Sequence, residues 1–243
     1  MNPSQDLCNR ATMLGCLFTP LTVRLAMTES EKGLDMLELQ RFFSAVLFDM
    51  DGTLLDSRAV VERVWRDWAK RHGLNADAIL AVSHGRRTID VVREFSTRNM
   101  DCVTEAAKID LAETADTDGI VAVPGAVELL ARLPKDRWAV VTSAGRELAI
   151  CRMNAAGIPV PSVLVTAEDV TLGKPDPSGY LKAAAVLGTS AKDCLIFEDA
   201  PAGIEAGINA GSHVVAIQHA QPHPFEPKCP IVADFHEVSF QLN

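Results

Sequence analysis

Short apolar runs alternate along the chain with stretches of helical period. Ala45-Val-Leu-Phe48 is an unbroken apolar run that ends in Asp-Met-Asp-Gly-Thr at 49–53. A run cut off by a glycine turn predicts a strand buried on both faces, the kind a parallel sheet uses. Runs of the same type occupy 138–142, 162–166, 194–197 and 213–217. Between them, apolar residues recur with helical spacing over 125–133, 146–156, 177–187 and 200–210. Strands alternating with helices predict an α/β fold with a doubly wound parallel sheet and right-handed crossovers. In such sheets ligands gather at the carboxyl ends of the strands.

The alternation breaks once. From Ser57 to Gly119 there are helix signals and no strand signal. Val60, Val61, Val64, Trp65 and Trp68 form one apolar stripe, with Glu62, Arg63, Arg66 and Asp67 on the opposite side. Arg71-His-Gly73 supplies a C-terminal stop, and further helices are expected over 75–82, 87–95 and 102–115. The reading is therefore a core of residues 43–56 and 120–243, with a helical lid of residues 57–119 inserted after the first strand. Residues 1–42 read as a peripheral extension. The apolar stretch 11–23 is too short to span a bilayer, and Pro20 and Arg24 interrupt it. Asp6 and Arg10 both precede it, so it lacks the positive start of a signal peptide, and Met36 lies close to the expected beginning of the folded chain.

Composition narrows the class. The chain has 243 residues, 48% apolar and 23% charged, which is ordinary for a globular protein and long enough for a sizeable core. Its 23 basic and 32 acidic residues leave a net charge of −9. That balance argues against nucleic acid or an anionic membrane as partner, since both demand a basic surface. The 6 cysteines contain no CxxC pair and read as reduced thiols of a cytoplasmic protein.

Four strand or loop ends carry the candidate chemistry, each with an ordinary structural alternative. Asp49 and Asp51 stand two positions apart after the first strand. Two close carboxylates do not both ionise without a cation, so the pair implies metal binding or divided acid and nucleophile roles, unless it is simply a polar turn. Ser143 follows the strand 138–142 where a helix begins, as an anion binder or as an N-cap. Lys174 lies in Gly-Lys-Pro-Asp-Pro, a turn stiffened by its prolines, as a ligand group or a solvated lysine. Glu198 and Asp199 end the run 194–197, as metal ligands or as a helix start. Together they offer Asp/Asp, Ser, Lys and Glu/Asp to one rim, where carboxylates collect Mg²⁺ and Lys and Ser collect phosphate oxygens.

In this order FDMDGT (48–53), TSA (142–144), GKPDP (173–177) and FEDAPAG (197–203) resemble the four motifs of the haloacid dehalogenase-like superfamily. The helical insert resembles the cap of its β-phosphoglucomutase-like branch, and HGRRT (84–88) is similar to the HGxRT loop of sugar and glycerol phosphatases. The resemblance implies a Rossmann-like core with an all-helical cap domain, and a Mg²⁺-dependent phosphatase acting on a small phosphorylated sugar or polyol. It assigns Asp49 as the nucleophile that forms an aspartyl-phosphate, and Asp51 as the acid/base. Ser143, the Ala144 amide and Lys174 would hold the phosphoryl group. Asp49, the Asp51 carbonyl oxygen and Asp199, with Glu198 nearby, would hold Mg²⁺, and His84 and Arg87 would meet the substrate from the cap. A dehalogenase of this fold lacks the second aspartate, so Asp51 counts against it. A phosphoglucomutase carries a histidine where this chain has Val61, which favours hydrolysis. A non-catalytic binding protein is the remaining alternative, and a monomer is expected.

Overall fold

The computed structural model describes residues 21–27, 35–219 and 227–242. Strands β1 (Leu21–Met27) and β2 (Asp35–Phe43) form an antiparallel hairpin with Leu25 opposite Leu37. The sequence reading assigned these residues no element, although Leu21, Val23 and Leu25 alternate with Thr22 and Arg24 in the period of a strand. One residue later comes β3 (Ala45–Phe48), buried throughout, and then β4 (Leu55–Asp56). Four helices follow without an intervening strand: α1 (Arg58–His72), α2 (Ala76–Ser83), α3 (Thr88–Phe95) and α4 (Cys102–Ala115). The chain returns through β5 (Val121–Ala122), which pairs antiparallel with β4. Both crossings between the helical segment and the sheet thus run side by side, directly after Asp51.

The helices begin and end where local chemistry dictates. Gly73 takes a left-handed conformation (φ 66°) after α1, and its amide reaches back to the last turn. Asn75 caps α2 by accepting from the Asp77 and Ala78 amides, and Asp101 does the same for α4. The expected stripe of α1 is buried at Val60, Val64, Trp65 and Trp68, while Val61 stays half-buried at the edge of a cavity.

The remaining elements alternate. They are α5 (Ala126–Arg132), β6 (Trp138–Val141), α6 (Arg146–Ala155), β7 (Leu164–Val165), α7 (Ser178–Val186), β8 (Cys194–Glu198), α8 (Pro201–Asn209), β9 (His213–Ile217), β10 (Ile231–Val232) and β11 (Val238–Leu242). Six strands form one parallel sheet in the order β10-β9-β8-β3-β6-β7, and β11 joins β1 and β2 in a separate antiparallel sheet. Strand β7 is shorter than the expected 162–166 because it is the edge strand.

Alternate residues of β3 serve opposite faces. Val46 and Phe48 pack with α5 and α6, and Ala45 and Leu47 pack with α7 and α8. The first face is built on aromatic rings: Phe48 stacks on Phe197 at 5.4 Å, and Phe235 meets both edge-on. Burial on both sides is why these strands read as continuous apolar runs rather than alternating ones. Among the described residues no helix is long and apolar enough to cross a membrane.

Candidate active site

The two central strands deliver the carboxylates. Asp49 is the first residue beyond β3, its amide bonded to the Phe197 carbonyl at 3.0 Å, while Glu198 ends β8 and Asp199 follows it. Oxygens of Asp49, Glu198 and Asp199 lie within 4.8 Å of one another, and all three residues are buried. Lys174, from the loop between β7 and α7, reaches into this cluster. Its Nζ donates to Asp49 Oδ1 and, at 2.5 Å, to Glu198 Oε1. Glu198 also accepts from the Tyr180 hydroxyl at 3.1 Å and from the amides of Asp199 and Ala200 at 2.8 and 2.9 Å. With four donors on two oxygens, Glu198 orients Lys174 and is itself fully engaged.

Two glycines make room for these carboxylates. A Cβ at Gly203 would stand 1.5 Å from Glu198 Oε1, and one at Gly52, where φ is +87°, would stand 1.9 Å from Asp199 Oδ2. Glycine at 203 is required by close approach and at 52 by both approach and backbone conformation.

Burial sets the charge states. It pushes the Asp49 carboxyl well above its ordinary value, with Lys174 as the main force against it. Burial also works against the Lys174 ammonium, but Asp49 and Glu198 outweigh it and keep the group protonated. Three buried carboxylates gathered around Lys174 make a site rich in oxygen donors. That donor set fits a hard divalent cation, which takes oxygen ligands from carboxylates. Asp49 and Asp199 are placed to hold it, Asp199 in exchange for its present partners His84 and Thr53.

Asp51 sits among different partners. Its Oδ1 accepts from Ser57 Oγ at 2.6 Å and from Arg152 Nη1 at 2.9 Å. Arg152 Nη2 in turn reaches Glu113 Oε2 at 2.8 Å. Burial pushes Glu113 up to about 7, with Arg152 opposing the shift. His84, in the turn between α2 and α3, places Nε2 at 2.5 Å from Asp199 Oδ2, and Thr53 Oγ1 donates to Oδ1 of the same carboxylate at 3.2 Å. Asp199 raises the His84 imidazole to about 9 against the effect of burial.

The structure therefore brings Asp49, Asp51, Lys174, Glu198, Asp199 and His84 to one place. Ser143 and Ala144 line the same cavity, but their donors are engaged: Ser143 Oγ donates to the Gly85 carbonyl at 2.8 Å and the Ala144 amide to Thr142 Oγ1 at 3.1 Å. Arg87 departs from expectation. Its guanidinium is forked onto Asp90 at 2.6 and 3.1 Å, donates to the Thr171 carbonyl at 2.9 Å, and lies over Gly173. As the residue preceding α3 it turns toward the Lys174 loop, and Arg86 lines the cavity instead.

Arg152, Glu113, Ser57 and Tyr180 were not singled out from sequence. Two of them left a signal. Arg152 falls on the buried stripe of α6 with Leu148, Ala149 and Met153, and Glu113 on that of α4 with Ala106 and Ile109. A charge on an apolar helix face is rarely buried without a partner.

A family model described as haloacid dehalogenase-like hydrolase matches residues 43–211. Hexitol phosphatase A of Escherichia coli (strain K12) is 45% identical over 175 residues, covering 70% of this chain and 81% of that protein. Glycerol-1-phosphate phosphohydrolase 2 of Saccharomyces cerevisiae is 37% identical over 221 residues, covering 84% of this chain and 87% of that protein. Among solved structures, a family IA hydrolase from Entamoeba histolytica matches with a TM-score of 0.68 at 25% identity, over 81% of this chain and 95% of that one. Matched by that family model over most of its length, with its motif residues gathered at the ends of β3, β6 and β8, this chain belongs to the haloacid dehalogenase-like hydrolases.

Proposed function

We propose that the protein is a Mg²⁺-dependent phosphatase that hydrolyses small sugar or polyol phosphates through an aspartyl-phosphate on Asp49. The observation that carries the reading is the separation of two neighbouring aspartates. Asp49 is buried against Lys174, and Asp51 is held apart by Ser57 and Arg152. Carboxylates in such different surroundings suit different tasks. Asp49 attacks phosphorus, and Asp51 gives a proton to the departing oxygen and later takes one from the attacking water. Lys174 supplies positive charge beside the nucleophile for the phosphoryl oxygens. Ser143 and the Ala144 amide serve the same group by exchanging their present partners for substrate oxygens. Asp49, Asp199 and the Asp51 carbonyl oxygen would hold Mg²⁺, which when bound neutralises charge on the transferring phosphoryl group.

Residues 57–119 act as a cap over the core formed by 43–56 and 120–243. Support comes from Ser143 Oγ on the Gly85 carbonyl and from His84 on Asp199, both joining the helical segment to the strand ends. The cavity between them is small (≈ 80 Å³) and lined by Ser57, Ser83, Thr88 and Trp65, a mixture of hydroxyl side chains and one aromatic that suits a polyol chain. A mutase is not favoured, since Val61 lines this cavity without offering a proton-transfer group.

Phosphate release from hexitol, hexose and glycerol phosphates, each with Mg²⁺ and with EDTA, tests the reading. Turnover with Mg²⁺ that EDTA removes is expected. Turnover indifferent to EDTA, or none on any of these esters, would overturn it.

A further inference from the structure

We propose that Arg152 and Glu113 together form a positioning device for Asp51, one that fixes which carboxyl oxygen carries the transferable proton and ties it to the seat of the helical segment. The proposal rests on the phosphatase reading. Arg152 belongs to α6 and Glu113 to α4, and both are almost completely buried, at 3% and 4% exposure. Asp51 follows β3. Three separate parts of the chain thus meet in a single line of charge, from core loop to core helix to inserted helix.

The geometry of the pair is not that of a simple structural ion pair. An arginine facing one glutamate in a buried site does best as a fork, with two parallel N–H donors on two oxygens. Here the contact is single, Nη2 to Oε2, because Nη1 is turned to Asp51 instead. The consequence is visible in the atoms left over: Arg152 Nε and Glu113 Oε1 are both buried without a hydrogen-bond partner. Buried polar atoms are nearly always paired, so two orphans within one ion pair call for an explanation. The fork was given up for the contact with Asp51.

That contact sorts the two oxygens of Asp51. Oδ1 already receives two hydrogen bonds, from Ser57 and Arg152, and among the described residues no donor reaches Oδ2. With Arg152 and Ser57 both on Oδ1, Oδ2 is the oxygen left to carry a proton toward the departing group. During the first step that proton moves from Oδ2 to the ester oxygen as the phosphorus–oxygen bond breaks. The bonding pair stays on the departing oxygen, and Asp51 is left ionised beside Arg152. Glu113 keeps the guanidinium in line and offsets its charge. The neighbouring turn of the same two helices is tied as well, with Cys151 Sγ on the Thr114 carbonyl at 3.3 Å, so a shift of α4 would move Arg152 and with it the acid.

The test is the dependence on leaving group. An alkyl ester such as glycerol 3-phosphate needs its departing oxygen protonated, whereas 2,4-dinitrophenyl phosphate departs without help. The ratio kcat/KM reports only steps through formation of the phospho-enzyme, so the later role of Asp51 as base does not enter. Arg152→Met combined with Glu113→Gln removes both buried charges and leaves neither stranded. With folding checked by circular dichroism, kcat/KM is expected to fall at least about thirtyfold on glycerol 3-phosphate and less than about threefold on the dinitrophenyl ester. Arg152→Lys, which keeps the charge, is the second variant should the first not fold; it is expected to show the same selectivity at a smaller loss of about fivefold on the alkyl ester. Equal losses on both esters, or no loss on either, would overturn the positioning role while leaving the phosphatase reading intact. Failure of the wild-type protein to hydrolyse either ester would remove the reading and the inference together.

Discussion

The ends of the parallel strands and the turn between α2 and α3 both contribute side chains to one cavity, yet they hold them in different ways. At the strand ends, Asp49, Glu198 and Asp199 follow directly from buried strands whose register is set on both faces by the core. Glu198 is then fixed by four partners, Asp199 by His84 and Thr53, and Asp49 by Lys174. In the helical turn, His84 reaches the site through one contact with Asp199, Arg86 is paired with Glu94 at 2.8 Å, and Arg87 leaves the cavity for Asp90 and Thr171. A group at the end of a central strand has one place to go. A group on a helix-connecting turn goes where helix packing aims it, and two adjacent arginines can part company.

The sharpest way to break this contrast is at the nucleophile. Asp49→Asn keeps size and removes the attacking anion. It is expected to lower turnover at least about a thousandfold on every phosphate ester, with the melting temperature near that of the wild type. Turnover by the folded variant within about tenfold of the wild type would mean that the strand end does not carry the chemistry.

Crowding of the strand-end network comes next. Gly203→Ala places a methyl group where the Glu198 carboxylate stands, so Lys174 loses one of its two anchors. Destabilisation of about 2 kcal/mol or more, roughly 4–8 °C in melting temperature, is expected together with loss of activity. Gly73→Ala, where nothing lies within 4 Å and only the positive φ is strained, is the control. It should cost about 1 kcal/mol and leave kcat/KM unchanged. Calorimetry and kinetics on both variants give the comparison, and similar activities would show that Glu198 tolerates displacement.

The smallest effects belong to the helical turn. Arg86→Ala removes a cavity-lining cation and should raise KM for a sugar or polyol phosphate by about three- to tenfold, sparing p-nitrophenyl phosphate. Arg87→Ala acts only through the Lys174 loop and should lower kcat/KM by less than about fivefold, equally on both substrates. If Arg87 proves the substrate-selective residue of the two, the contrast between the adjacent arginines is reversed.

The sequence by itself determined the alternation of buried strands and helices, the helical insertion after β3, and the strand-end positions of Asp49, Glu198 and Asp199. These follow from local signals, since a strand buried on both faces must be apolar throughout and its polar successor must lie at the rim. The α1 stripe and the stop at Gly73 were equally local, set by period and by backbone groups a few residues away. Other features depended on residues far apart in the chain. The β1–β2 hairpin and its pairing with β11 went unread because an alternating run does not name its partner. The engagement of Glu198 by Lys174 and Tyr180, the turning away of Arg87, and the line from Asp51 through Arg152 to Glu113 were decided by tertiary structure. A buried charge is stable only where its partner is also brought, and for Arg152 that partner comes from a helix 39 residues away in sequence.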